Sequence, residues 1–234
     1  MKTKKSDTDT GPATGSARTG RAAGPAKLRR AAAPQSHEVR LIGGLWKRTK
    51  LKVFDKPGLR PTPDRVRETL FNWLGQDLTG WRCIDVFAGT GALGFEAASR
   101  GATEVRMVEH DTALVEQLKR IQIQLQASMT QIVRGDGVAA LRQLDAGSMD
   151  VVFLDPPFDS APAKSALPNS APFKAALFDA ALLAAGRAVA GSGFVYLEAP
   201  VKWTDAQLES AGLTLHRHLK AGAVHAHLLK RIAA

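Results

Sequence analysis

Two stretches of this 234-residue chain carry residue types that could do chemistry together. The first is Asp155-Pro156-Pro157-Phe158, which follows the apolar run Val151-Val-Phe-Leu154. Prolines lack an N–H and have a fixed φ, so two in a row form a rigid shelf whose carbonyls point outward. Asp155 and the Pro156 carbonyl could accept both hydrogens of an exocyclic NH2 group. That would aim the nitrogen lone pair at an electrophile. Phe158 could stack on the base, a contact worth about 1–3 kcal/mol. The plainer alternative is a Pro-Pro turn that only ends a strand.

The second stretch is Asp85-Val-Phe87-Ala-Gly89-Thr90-Gly91-Ala-Leu-Gly94. The glycines match G-x-G-x-x-G, by itself a weak dinucleotide signal. Asp85 opposes that reading, because a pyrophosphate held at the following helix N-terminus would be repelled by the carboxylate. A ligand bearing an ammonium would be attracted. S-adenosylmethionine (SAM) has an α-amino group, a carboxylate and no phosphate. Asp85, Phe87, Gly89, Thr90 and Gly91 are therefore candidate contacts to its methionine end. The competing reading is that Asp85 merely caps the turn.

These residues must be positioned by strands and helices. Residues 82–87 read as a buried parallel strand, followed by an alanine-rich helix over 92–100 closed by Gly101. Alternation continues: strand 104–108 and helix 112–126, strand 130–134 and helix 137–144, strand 149–154 and helix 174–185, strand 193–198 and helix 204–210. Strands 213–219 and 223–230 then flank Ala221-Gly222. The expected fold is α/β, a doubly wound, mostly parallel seven-stranded sheet ending in an antiparallel hairpin. In such sheets ligands bind at the carboxyl ends of the strands. Each of four successive ends carries an acid. Glu109, 24 residues after Asp85, could accept hydrogen bonds from both ribose hydroxyls. Asp136, between Gly135 and Gly137, could accept from an adenine amino group or simply cap a helix.

The segment ahead of the sheet is basic. Thr62, also a candidate cofactor contact along with Arg60 and Arg65, is the expected N-cap of a helix with Pro63 in its first position and Val66, Leu70, Phe71, Trp73 and Leu74 on its apolar face. Arg60, Arg65 and Arg67 cluster at its start, where cations oppose the macrodipole. They face either an anion, such as the cofactor carboxylate or an RNA phosphate, or Glu68 on the surface. Two short strands within 37–54 are joined through Gly43-Gly44-Leu-Trp46-Lys47-Arg48. Arg40, Trp46, Lys47 and Arg48 suit RNA, where cations meet phosphates and an aromatic stacks. An ordinary basic hairpin is the other reading.

The charge distribution agrees with a polyanionic partner. Of the net +10, residues 1–34 hold eight Lys/Arg against two acids and 35–80 nine against five, whereas 81–234 hold fifteen of each. Three parts are expected: a disordered basic tail over 1–36, an RNA- and cofactor-contacting extension over 37–80, and a methyltransferase domain over 81–234. No apolar run is long enough to span a membrane and no secretory stretch opens the chain. The single cysteine, Cys83, lies in a core strand, so neither a disulfide nor a cysteine-based metal site is expected, and the cytoplasm fits.

The motif pair Asp85–Gly94 and Asp155–Phe158 resembles the amino-methyltransferases that modify exocyclic nitrogens. Arg40-Leu-Ile-Gly-Gly-Leu-Trp-Lys-Arg48 and Gly58-Leu-Arg-Pro-Thr-Pro-Asp-Arg-Val-Arg-Glu-Thr-Leu-Phe-Asn-Trp-Leu74 resemble bacterial 16S rRNA guanine-N2 methyltransferases of the RsmD type. The likeness runs from about residue 38 onward and is densest over 39–110 and 150–158. It implies a monomeric enzyme that uses SAM on small-subunit RNA. Loop 159–172 is longer than the resemblance implies, and His225 and His227 stand where more aromatic character belongs. Two rivals remain. A DNA adenine-N6 methyltransferase would share the Asp-Pro-Pro-Phe logic, and a non-enzymatic assembly factor would need none of the acids.

Overall fold

The computed structural model describes residues 36–54, 62–157 and 170–232. The expectations for residues 1–34, Arg60, Phe158 and most of loop 159–172 lie outside these residues. An antiparallel pair, β1 (Ser36–Arg40) and β2 (Lys50–Phe54), leads to helix α1 (Asp64–Trp73). Then follow β3 (Arg82–Asp85), α2 (Ala92–Ser99), β4 (Glu104–Glu109), α3 (Thr112–Leu125), β5 (Thr130–Arg134), α4 (Gly137–Gln143), β6 (Met149–Leu154) and α5 (Ser170–Ala188). The chain continues with β7 (Val189–Ala199), α6 (Asp205–Leu208), a 3-10 turn Glu209–Ala211, β8 (Leu213–Ala221) and β9 (Val224–Arg231). The seven-stranded order is β5-β4-β3-β6-β7-β9-β8, with β9 antiparallel to both of its neighbours, β7 and β8, and every other pairing parallel. No helix of the described residues is long and apolar enough to cross a membrane.

Both faces of the sheet are covered. On one face Leu41, Leu51, Val66, Leu70 and Phe71 join Cys83, Phe95, Met107, Phe153 and Tyr196 in a single core. On the other, Ile84, Val108, Val152 and Leu197 pack with Leu141 of α4 and Leu182 and Ala185 of α5. Residues 83–85 and the whole of α2 are buried, which is why these segments read as unbroken apolar or small-residue runs.

Element bounds differ from the sequence expectation in ways with physical causes. β3 stops at Asp85, because the chain turns once the Val86 N–H has met the Phe153 carbonyl, 3.1 Å away. Helix α1 begins one residue late. Pro63 occupies the cap position, and its carbonyl accepts from the Val66 and Arg67 N–H groups. Thr62 is therefore not the N-cap; its hydroxyl points to Asp155 instead.

The loop after β1 is held on α2 by a buried polar network. The Glu96 carboxylate accepts from the Ile42 and Gly43 N–H groups at 2.8 Å each and from Arg100 Nε at 2.8 Å. Ser99 Oγ accepts from the Trp46 N–H and donates to the Gly43 carbonyl. The glycine pair is a packing requirement, since a Cβ on Gly44, at φ +72°, would lie 1.7 Å from the Ser99 carbonyl oxygen.

Candidate active site

β3 and β6 are adjacent parallel strands, and Asp85 pairs with Phe153. Side chains two residues apart on a strand share a face. Asp85 and Asp155 therefore look to the same side at the carboxyl end of the sheet. The register Leu154–Leu197 carries on to place Glu198 beside Asp155, and Met107 opposite Asp85 puts Glu109 on that face too. Four acids from four neighbouring strands thus share one rim.

Asp85 is 1% exposed. Its Oδ2 accepts from the Gly94 N–H at 3.0 Å, so it does cap α2. Its Oδ1 is buried with no hydrogen-bond partner. A cap explains one oxygen and leaves the other requiring a donor. Burial pushes the carboxyl up to about 7; the Gly94 and Phe87 backbone N–H groups oppose this, and the charges of Glu109 and Glu198 add to it. An unmatched, enclosed acceptor of this kind fits an incoming ammonium group.

The Gly-rich turn approaches this carboxylate closely. Gly91, at φ +78°, is the cap of α2, and a Cβ on it would meet Leu118 and Phe95 within 2.7 Å. Gly89 donates its N–H to Glu109 Oε2 at 2.8 Å, and the Asp111 N–H donates to Oε1 at 2.8 Å. Glu109 is thereby aimed by the turn that follows Asp85, with lone pairs left on each oxygen for ribose hydroxyls. Thr90 is buried and Phe87 half-buried beside it. Asp136 is the N-cap of α4, accepting from the Ala139 N–H at 2.7 Å through Oδ1. It remains exposed, so the cap does not exclude a second acceptor role for the other oxygen.

At the Pro-Pro shelf, Asp155 is half-buried and Pro156 buried, with Pro157 exposed. Asp155 Oδ2 accepts a long hydrogen bond, 3.4 Å, from Thr62 Oγ1. Its carboxyl is pushed well above the ordinary range by desolvation, then by Glu198 and Asp85. Thr62 thus reaches the amine end of the rim rather than the methionine end. Arg65 stands exposed on the first turn of α1, three residues from Thr62.

The basic residues do not all share one surface. Arg40, Lys47 and Arg48 are exposed on and after β1, whereas Trp46 is half-buried and packs on the core. Arg67, expected to touch RNA, does not. It is fully buried, with Nη2 donating to the Arg40 carbonyl (2.8 Å) and to Asp64 Oδ1 (2.6 Å), and Nη1 lying 3.6 Å from Glu96. Its position in α1 faces the core, where Asp64 on the same helix and Glu96, brought there by folding, are its acidic partners.

A family model described as conserved hypothetical protein 95 matches residues 39–230. The chain belongs to that family. Within it, the chain is 46% identical over 123 residues to the ribosomal RNA small subunit methyltransferase D of Escherichia coli (strain K12), covering 53% of this chain and 62% of the relative. It is 48% identical over 124 residues to the protein of the same name from Haemophilus influenzae, covering 52% and 64%. The chain thus spans under two thirds of the length of these relatives. The solved structure of yhhF from Escherichia coli matches with a TM-score of 0.67 and 31% identity, over 83% of this chain and 98% of that one. The relatives' name is that of the RsmD type, which the motifs over 39–110 and 150–158 resemble. The fold is that of the class I SAM-dependent methyltransferases.

Sequence reasoning missed Glu198 and Tyr196. Tyr196 OH donates to Glu198 Oε1 at 2.9 Å, and both are buried. A signal lies in the sequence: Glu198 stands next to last in β7, much as acids stand at or just past the ends of the four strands before it.

Proposed function

We propose that this chain transfers a methyl group from SAM to the exocyclic N2 amine of a guanine in 16S rRNA of the small ribosomal subunit. It acts as a cytoplasmic monomer on the subunit or an assembly intermediate. The observation that carries the reading is the shared rim: Asp155 at the Pro-Pro shelf and the unmatched Asp85 oxygen lie on one face of adjacent strands. The relatives named ribosomal RNA small subunit methyltransferase D support the substrate class.

Asp85 receives the α-ammonium of the cofactor, with Gly89, Thr90 and Gly91 lining the turn beneath it. Glu109 takes the ribose hydroxyls and Asp136 the adenine amine. When bound, SAM supplies a methyl group already activated by a sulfonium. Asp155 and the Pro156 carbonyl accept the two N2 hydrogens and fix the direction of the nitrogen lone pair. Positioning of this kind, rather than strong acid–base chemistry, is what the transfer requires. Phe158 would stack on the guanine, which must be unpaired or flipped to enter. Arg60 and Arg65 would meet the cofactor carboxylate or RNA, and Arg40, Lys47 and Arg48 the phosphate backbone, with Trp46 offering a ring edge.

Asp155→Ala tests this division of labour. Turnover on small-subunit particles should fall by about 10²-fold or more, with SAM affinity by calorimetry unchanged. Near-normal turnover would refute the role.

A further inference from the structure

The outer hairpin carries three histidines that take no part in the mechanism above, and they gather at the end of the sheet that holds the site. β9 pairs with β7 through His225–Ala199 and His227–Leu197, and with β8 through His225–Lys220 and His227–His218. Cross-strand partners share a face, so two rows run side by side. The outer row is Ala199, His225 and Lys220, and the next is Leu197, His227 and His218. The outer row lies one residue past Glu198, at the carboxyl edge of the sheet where Asp155 stands. The loop after β7 closes on this face. Its Trp203 N–H donates to His227 Nε2 at 3.1 Å, and the Trp203 ring packs on Phe178 of α5 with centroids 6.0 Å apart. That anchor brings Lys202, the preceding residue, alongside the two rows.

His227 is fully buried and locked in one neutral form. Its Nε2 accepts from Trp203, so its hydrogen is on Nδ1, 3.2 Å from the Leu197 carbonyl. His218 and His225 are half-buried, with His218 Nε2 2.9 Å from His225 Nδ1 and ring centroids 5.1 Å apart. A hydrogen bond between two ring nitrogens needs one hydrogen between them. The neutral pair then has a hydrogen on only one of its two outer nitrogens. One more proton gives both outer nitrogens an N–H and makes the pair a cation with two outward donors. Lys220 and Lys202 stand exposed beside it, and no acid among the described residues forms an ion pair with either. Asp205, at the head of α6, is engaged by Thr214 Oγ1 at 3.0 Å and the Leu215 N–H at 2.8 Å. Desolvation first, and then neighbouring positive charge, holds both rings below the ordinary histidine range, so the pair is neutral at pH 7 unless an anion offsets the lysines.

We propose that this hairpin end is a second RNA contact: a phosphate site built from Lys202, Lys220 and the His218–His225 pair, which holds the strand flanking the target guanine and takes up a proton from solvent as it does so. The inference rests on the reading that the rim methylates RNA. A backbone phosphate only accepts hydrogen bonds, which matches two ammonium groups and two outward imidazole N–H donors. Val201, exposed beside Lys202, offers an apolar contact to a sugar or base. A guanine drawn out of its stack needs the backbone next to it held, and this site lies at the edge where Asp155 receives the amine. It also gives the electrically balanced part of the chain, residues 81–234, its own hold on a polyanion.

The test uses the full chain, binding to 16S rRNA without SAM and turnover on small-subunit particles. One double variant is Lys202→Gln with Lys220→Gln, and the other is His218→Gln with His225→Asn. Gln and Asn set an amide near the Nε2 and Nδ1 positions they replace, so the bond between β8 and β9 persists while the pair can gain no charge. The lysine variant should raise KM for particles by about tenfold or more with SAM affinity by calorimetry unchanged. It should also lower the slope of log RNA affinity against log salt by about 0.7 per lost phosphate contact. A pair whose pKa rises in the complex strengthens binding below that pKa and loses the gain as pH rises through it. Wild-type RNA affinity should therefore strengthen, from about pH 7.5 to about 6, by about threefold or more beyond any change in the histidine variant. Calorimetry in buffers of different ionisation heat should show proton uptake on RNA binding that the histidine variant lacks. The proposal is overturned if the lysine variant keeps the wild-type KM and salt slope, or if the histidine variant keeps the proton uptake and pH response. Should the histidine variant fail to fold, absence of proton uptake by the wild-type chain is enough to overturn it. RNA binding with this proton uptake but no methyl transfer to particles would instead defeat the underlying reading of the rim.

Discussion

Arg67→Met separates a buried structural arginine from a surface RNA contact. Arg67 is fully buried, and its guanidinium joins three parts of the chain: the Arg40 carbonyl at 2.8 Å, Asp64 at 2.6 Å and the Thr62 carbonyl at 3.3 Å, with Glu96 at 3.6 Å. Removing one member of a buried ion pair costs about 3–5 kcal/mol. Glu96 would keep Arg100 and two backbone donors, and the Met side chain refills much of the space. The lower end applies, about 3 kcal/mol, or roughly 6–12 °C in Tm for a chain of this size. Urea denaturation and thermal melts measure this directly. RNA affinity measured across a salt series supplies the contrast, because each lost phosphate contact lowers the slope of log affinity against log salt by about 0.7 on single strands. Arg67→Met should leave that slope unchanged at temperatures where the variant is folded. Wild-type stability combined with a shallower slope would refute the burial argument and restore Arg67 to the RNA surface.

Other outcomes follow from the same geometry. The folded-state pKa of Asp85 lies near 7, above its ordinary 3.8, so its contribution to the stability of the unliganded protein is fully present below about 4 and is lost as pH rises through 7. Binding an ammonium needs the ionised form, so SAM affinity should weaken by up to about tenfold per pH unit below 7, and calorimetry of Asp85→Asn should show weak binding without that pH dependence. Gly44→Ala forces a Cβ against the Ser99 backbone at 1.7 Å, where nothing flexible can yield. A loss of about 2–4 kcal/mol in denaturation is expected, with Lys47 and Arg48 displaced and RNA binding weakened together with it; unchanged stability would show that the loop after β1 is not docked on α2.

Much of this architecture was legible because its causes are local. Strand β6 announces itself as a short apolar run, β4 and β5 as short segments rich in β-branched residues between turns, and the acids at or just past their ends are visible once the alternation is recognised. The Pro-Pro shelf and the glycine turn are likewise local. What escaped depends on contacts distant in sequence. Arg67 at a helix start reads as solvent-facing until Glu96, 29 residues later, is brought under it. Gly43-Gly44 looked like a nucleic-acid loop because nothing nearby in sequence reveals the Ser99 backbone it must approach. Thr62 has every local mark of an N-cap, but its hydroxyl is drawn to Asp155, 93 residues away. Glu198 carries no motif, and its meaning comes only from the register that sets it beside Asp155.

The central claim is that this rim delivers a methyl group to a guanine amine. Small-subunit particles lacking the modification should be incubated with the full chain and SAM carrying a labelled methyl group, and the RNA then digested and mapped by mass spectrometry. The expected result is one labelled N2-methylguanine in 16S rRNA, absent with Asp155→Ala. Label on an adenine of added duplex DNA, or no transfer to either nucleic acid despite measurable SAM binding, would contradict it.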